Sequence, residues 1–191
     1  MIHEVELTIT YKSNSIAIVG PFNHERGLQT ITDKLGQQDY ICYKVPAYKV
    51  QINGGNTYEA IRYGYINDGR IPPPLHRKCD KGIIHGHVCH PTWKPHYSPH
   101  SFTGSGRSGA WVLFPHDTMY IHEGPDRRKG GMGGTLGCVE ILDGKWNSFL
   151  KEIEDSASAS CAAIAAARKL RVKIEAGERP VGTFAGAFPS D

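Results

Sequence analysis

The chain has no run approaching the ~20 apolar residues that a membrane-spanning helix needs. It has no dense Lys/Arg stripe. Its net charge is +3 and its pI about 8.6, too mild a balance to argue for nucleic acid. That balance is compatible with an anionic polymer such as a cell wall, without pointing to one. The opening Met1-Ile2-His3-Glu4-Val5-Glu6 begins with acid and alternation. A secretory leader needs a basic segment and then an apolar run, so no signal peptide is expected. A substrate outside the cytoplasm then requires a route without a cleaved leader, or the sequence is a fragment whose leader was removed. The cysteines are not even in number. There are five, Cys42, Cys79, Cys89, Cys138 and Cys161, so at least one thiol stays outside any disulfide. Cys79 and Cys89 bracket a short segment and are candidates to pair in an oxidising compartment.

What is present is ordinary for a soluble globular protein: 39% hydrophobic and 21% charged residues over 191 positions. That length holds one domain with a substantial core. Val5 to Tyr11 alternates apolar and polar side chains as a half-buried strand does. Ser13-Asn14-Ser15 reads as a turn and 15–19 as the return strand of a hairpin. Strands are expected at 40–45, 48–52, 110–114, 118–122, 138–142 and 170–175, and 58–65 is open between helix and strand. A helix is expected from Asp143 or Gly144 through Trp146, Phe149, Leu150 and Ile153, with a break at Asp155-Ser156. A second, Ala-rich helix follows over 158–170. The segment 69–109 holds Pro72-Pro73-Pro74, many histidines and a Gly/Ser run, and reads as a lid or loop insertion. The tail 176–191 reads as extended or loose. The whole is a β-rich α+β domain over 1–175, with no internal repeat.

The chemistry concentrates in 119–141. His122 leaves an apolar strand in Tyr120-Ile121-His122-Glu123-Gly124-Pro125. Cys138 ends the glycine-rich run Gly133-Gly134-Thr135-Leu136-Gly137-Cys138, just before another apolar strand. A thiolate is the attacking form of cysteine, and a neighbouring imidazole can take its proton near neutral pH. Glycines let backbone N–H groups turn toward a developing oxyanion. Taken alone, Cys138 would read as a buried structural thiol and His122 as a strand-end histidine; the interval between them favours nucleophile and base.

This stretch, with the strand Ala110-Trp111-Val112-Leu113-Phe114, resembles the catalytic motif of L,D-transpeptidases. There a histidine precedes a Ser/Thr-x-Gly-Cys signature by a similar interval, and Thr135-Leu136-Gly137-Cys138 fits that signature. The resemblance is in particular to the compact branch that serves as type VI secretion effectors. It implies a YkuD-like β-sandwich core with a packed helix and a lid, no cofactor and no metal. It implies cysteine-dependent acyl transfer on peptidoglycan stem peptides, as L,D-carboxypeptidase, L,D-transpeptidase or D-amino-acid exchange. An antibacterial toxin of this kind would act in the periplasm after contact-dependent secretion and would have a cognate immunity protein. Cys138 is then the nucleophile and His122 the base, with Glu123 or Gly124 holding the other ring nitrogen. The N–H groups of Gly137 and Cys138 serve the oxyanion, with Leu136 as a third donor. Two positions depart from the typical pattern. Leu136 stands where a second histidine is usual, and Glu140 where an arginine is.

Arg107, in Gly104-Ser105-Gly106-Arg107-Ser108-Gly109, is a candidate to hold a substrate carboxylate, against a solvated loop arginine. That run also fits G-x-G-x-x-G, but a strand follows where a dinucleotide site needs a helix. Thr135, Leu136 and Trp111 are further candidates to line the substrate groove. Trp93, Tyr97 and Trp111 fit a groove or a core equally well. The rival signal is Cys79 to His90, where His85, His87, Cys89 and His90 are all zinc-ligand types. Alternation would put His85, His87 and Cys89 on one face, although the spacing fits no standard zinc motif. The alternatives are therefore a metal-dependent hydrolase or metal-binding module built on 79–90, or an inactive cell-wall-binding domain. His96 and His100 read as extensions of a polar lid.

Overall fold

Alternation builds the strands. In Val5–Thr10 (β1), Val5, Leu7 and Ile9 are buried while Glu6, Thr8 and Thr10 are half-buried. Tyr48–Ile52 (β5) and Leu170–Ile174 (β14) repeat the pattern and flank β1 on either side. The structure, a computed structural model, describes residues 1–11, 13–19, 21–23, 40–62, 65–67, 77–78, 86–96, 109–113, 119–129, 135, 137–177 and 183–188. The other strands are β2 (Ile16–Val19), β3 (Pro21–Asn23), β4 (Tyr40–Pro46), β6 (Thr57–Ile61), β7 (Tyr65–Asn67) and β8 (Arg77–Lys78), followed by β9 (His87–Cys89), β10 (Thr92–Lys94), β11 (Ala110–Val112), β12 (Tyr120–Glu123), β13 (Val139–Ile141) and β15 (Thr183–Phe188). Two helices, α1 (Trp146–Ala157) and α2 (Cys161–Ala166), complete a β-rich α+β fold.

Nine strands form one sheet in the order β10-β11-β12-β13-β6-β5-β1-β14-β9. Its first and last members are neighbours in sequence. Cys89 ends one edge and Thr92 begins the other, three residue steps that span at most about 11 Å. The sheet therefore curls until its edges meet at this corner. Its inner face and the helices share the main core, including Leu7, Ile9, Val50, Ile121, Val139, Phe149 and Ile153. A three-stranded sheet, β15-β4-β2, packs a smaller core of Ala17, Val19, Tyr43, Val45 and Ala47 against Ile61 and Leu142.

Several expectations change. β2 is not the return strand of a hairpin with β1. Ala47 donates to Ser15 O and accepts from Ser13 N–H, which steers the chain onto β4 instead, while β5 and β14 already occupy both sides of β1. Residues 58–61 are strand. Helix α1 runs through Asp155-Ser156, where Lys151 pairs with Asp155 one turn on. The break falls later, at Ser158 in the left-handed region (φ 56°) and at Ser160, which caps α2. Within the expected lid, 86–96 is not irregular but supplies both edge strands of the main sheet. Much of the remainder of 69–109 lies outside the described residues. The tail is extended over 183–188 and pairs with β4. Among the described residues no helix is long and apolar enough to cross a membrane.

Candidate active site

Strands β12 and β13 run parallel with His122 opposite Glu140, flanked by Ile121–Val139 and Glu123–Ile141. Alternation sends Ile121, Val139 and Ile141 into the main core. His122 and Glu140 therefore take the other face, and Cys138, two positions before Glu140, takes it with them. The Cys138 Sγ accepts the Tyr120 N–H at 3.3 Å. Gly124 lets the strands close up. Its N–H donates to Ile141 O at 2.8 Å, and a Cβ there would lie 2.7 Å from the Glu140 Cβ.

His122 is 4% exposed, and its ring is held at Nδ1. Its Nδ1 lies 2.7 Å from the Glu123 main-chain oxygen. A carbonyl only accepts, so Nδ1 carries the proton, and in the neutral ring Nε2 is the nitrogen left without one. The holding group is the carbonyl of Glu123, one of the two candidates, and not Gly124. Nε2 lies 4.0 Å from Oε1 of Glu140, which is fully buried. A carboxylate there favours the imidazolium once Nε2 gains a proton.

Gly137 has φ 147°, a conformation that side chains with Cβ rarely adopt. It turns two N–H groups onto one atom. Gly137 N–H and Cys138 N–H both donate to Thr135 Oγ1, at 3.1 and 2.7 Å. These are the two donors that the resemblance implies for an oxyanion, and in this state a buried threonine hydroxyl holds them. Thr135 thus faces the loop interior rather than a groove.

Competing influences set the Cys138 thiol. Burial is the largest and pushes it up. The Tyr120 N–H pulls it down, Glu140 pushes it up, and Thr135 and the Arg62 guanidinium pull it down; the net shift is upward. The resting group is a thiol.

Three residues here, His96, Lys94 and Arg62, lie outside the motif, and a fourth, Tyr120, lies within it and contributes its phenol. His96 packs on His122, its ring centroid 5.2 Å from that of His122 and 5.0 Å from that of Tyr120. Burial, then His122 and Lys94, push its imidazole down to about 4, so it is neutral at neutral pH. Lys94 Nζ donates to Tyr120 Oη at 2.5 Å. Arg62, 3% exposed, lies over the Tyr48 ring. The alternation of Thr92, Lys94 and His96 around Trp93 and Pro95 was a usable signal for two of them. Nothing in the sequence singled out Tyr120's phenol or Arg62.

Trp111 is fully buried in the main core, 5.0 Å from Trp93 ring to ring, so it does not line a groove; its strand position faces Ile121 rather than His122. Arg107 and Leu136 lie outside the described residues, as do Tyr97, His100, Cys79 and His85. His87 and Cys89 do share a face of β9, the one turned to the core. His90 Nδ1 lies 3.0 Å from Leu170 O. Cys89 is a free thiol rather than half of a bridge to Cys79, and burial pushes it up to about 11. Among the described residues no three His, Cys, Asp or Glu side chains converge as metal ligands. The chain matches no family model, no curated protein and no solved structure.

Proposed function

We propose that this chain is a cysteine acyltransferase of the L,D-transpeptidase type, acting on peptidoglycan stem peptides. The observation that carries the reading is the shared sheet face of Cys138 and His122, with the His122 tautomer set by Glu123 O so that Nε2 is the base. His122 takes the Cys138 proton as Sγ attacks the carbonyl between an L-centre and a terminal D-residue. The tetrahedral oxygen replaces Thr135 Oγ1 as acceptor for the Gly137 and Cys138 N–H groups. Collapse breaks the C–N bond, and His122 returns its proton to the leaving amine. Water or a second amine then attacks the thioester, giving carboxypeptidase action, or exchange and cross-linking. Glu140 supports the imidazolium between these steps. The YkuD-like core belongs to this reading, as do delivery to the periplasm as an antibacterial effector and a cognate immunity protein in the producer.

The test is incubation of the unmutated chain and of Cys138→Ala with purified muropeptides, with and without added D-amino acid, read by mass spectrometry. Loss or replacement of a terminal D-residue by the unmutated chain alone is the expected result. Unchanged muropeptides with both proteins would remove the reading. A second reading, a cell-wall-binding domain without turnover, is favoured by one observation, the fully buried Glu140 at the position where the resemblance implies an arginine. It predicts binding to peptidoglycan without any change in stem mass.

A further inference from the structure

The register puts a cation on the active face. Thr92 pairs with Val112 and Val112 with Tyr120, so alternation gives Lys94, Tyr120, His122 and Cys138 one side of the sheet. Tyr120 bridges the two ends of this group. Its backbone N–H contacts the Cys138 sulfur, and its phenol oxygen accepts from Lys94 Nζ. The ammonium also lies 4.1 Å from the Tyr120 ring centroid. The half-buried Arg127, by contrast, is matched by Asp143 and Glu59. Among the described residues no carboxylate pairs with Lys94. Tyr120 takes one of the ammonium's three N–H donors, and the neighbouring His96 is a neutral ring. A half-buried ammonium on the same sheet face as Cys138, with two donors unassigned among the described residues, suits an anionic ligand.

We propose that Lys94, positioned by Tyr120, recognises the terminal carboxylate of the substrate and restricts the site to peptides that end in a free acid. The inference rests on the acyl-transfer reading. The carboxylate of a leaving D-residue is three bonds from the carbonyl carbon that Cys138 attacks, and one tyrosine separates the sulfur from the ammonium. Recognition of this kind makes the enzyme act at chain ends and not inside a peptide. After the C–N bond breaks, the leaving residue carries its carboxylate away on the Lys94 side.

The test separates binding from turnover. A stem tetrapeptide and its C-terminal carboxamide are titrated by calorimetry into Cys138→Ala, Cys138→Ala/Lys94→Met and Cys138→Ala/Lys94→Arg. Cys138→Ala is expected to bind the acid more tightly than the amide, on the order of 10- to 100-fold. Lys94→Met should erase that preference and leave amide affinity within about twofold, while Lys94→Arg should keep it. Lys94→Gln serves as a second neutral variant if Lys94→Met does not fold. Equal binding of acid and amide to Cys138→Ala, no binding of either, or a preference that survives in the neutral variants would overturn the proposal. Release of the terminal residue by the unmutated chain is read in parallel. An acid preference without release sinks the acyl-transfer reading and leaves Lys94 as the carboxylate site.

Discussion

A buried carboxylate and a buried guanidinium act on the Cys138 thiol in opposite directions, and burial itself works against the thiolate. The attacking form is the thiolate, and its pKa is raised. Alkylation of Cys138 by iodoacetamide should therefore keep accelerating as pH rises past the ordinary thiol value of 9.0. Glu140→Gln removes one of the raising influences, so the profile should move to lower pH. The thiolate fraction at a given pH should grow tenfold for every 1.4 kcal/mol, roughly, of repulsion removed. Peptide mass spectrometry over a pH series reads both. A plateau below pH 8 in the unmutated chain would contradict the picture. At this scale the Cys138 and His122 pair was legible, because spacing and glycines are local. Glu140 was visible only as a departure, and its contact with His122 needed the parallel register. Lys94, Arg62 and His96 come from strand ends far away in sequence, and no local pattern ties them to Cys138.

Helix α1 stabilises through its buried stripe more than through its charges. Trp146, Phe149, Leu150, Ile153 and Ala157 are buried, while Lys151 and Asp155 pair at 68% and 64% side-chain exposure. Ile153→Ala should lower unfolding free energy by about 2–5 kcal/mol, and Lys151→Ala by no more than about 0.5 kcal/mol, both measured by urea titration. Equal effects would contradict this ranking. The stripe was readable because helical period survives in one short window. The partner of β2 was not, since alternation says that a segment is a strand and is silent on which sheet receives it. The edge strands β9 and β10 are three residues each, and so short an alternation does not say which strands will flank them.

One cation ties the two cores together. Arg127 bonds Asp143 and Glu59 beside the large sheet and the Ile16 carbonyl of the small one. Burial works to raise the Asp143 carboxyl, but the Arg127 bonds outweigh it, and the folded value is lowered from 3.8. A lowered carboxyl contributes stability above its unfolded pKa and loses it as pH falls through the folded one. Asp143→Asn should thus cost roughly 1–2 kcal/mol at neutral pH. Its deficit should shrink below about pH 4, as followed by thermal melts between pH 2 and 7. A deficit independent of pH would mean that the carboxylate charge is not what acts. This tie was not foreseen, because Ser15, Glu59, Arg127 and Asp143 are scattered along the chain.

The parallel pairing of β1 with β14 has a mechanical consequence. Val5 to Ile9 lie beside Leu170 to Ile174, both strands running the same way. Force that draws β1 along its own axis away from β14 loads all five pairs in shear at once and does not unzip them one by one. A machine that pulls on the chain ahead of Val5 would have to shear these five pairs before β12 and β13 had moved.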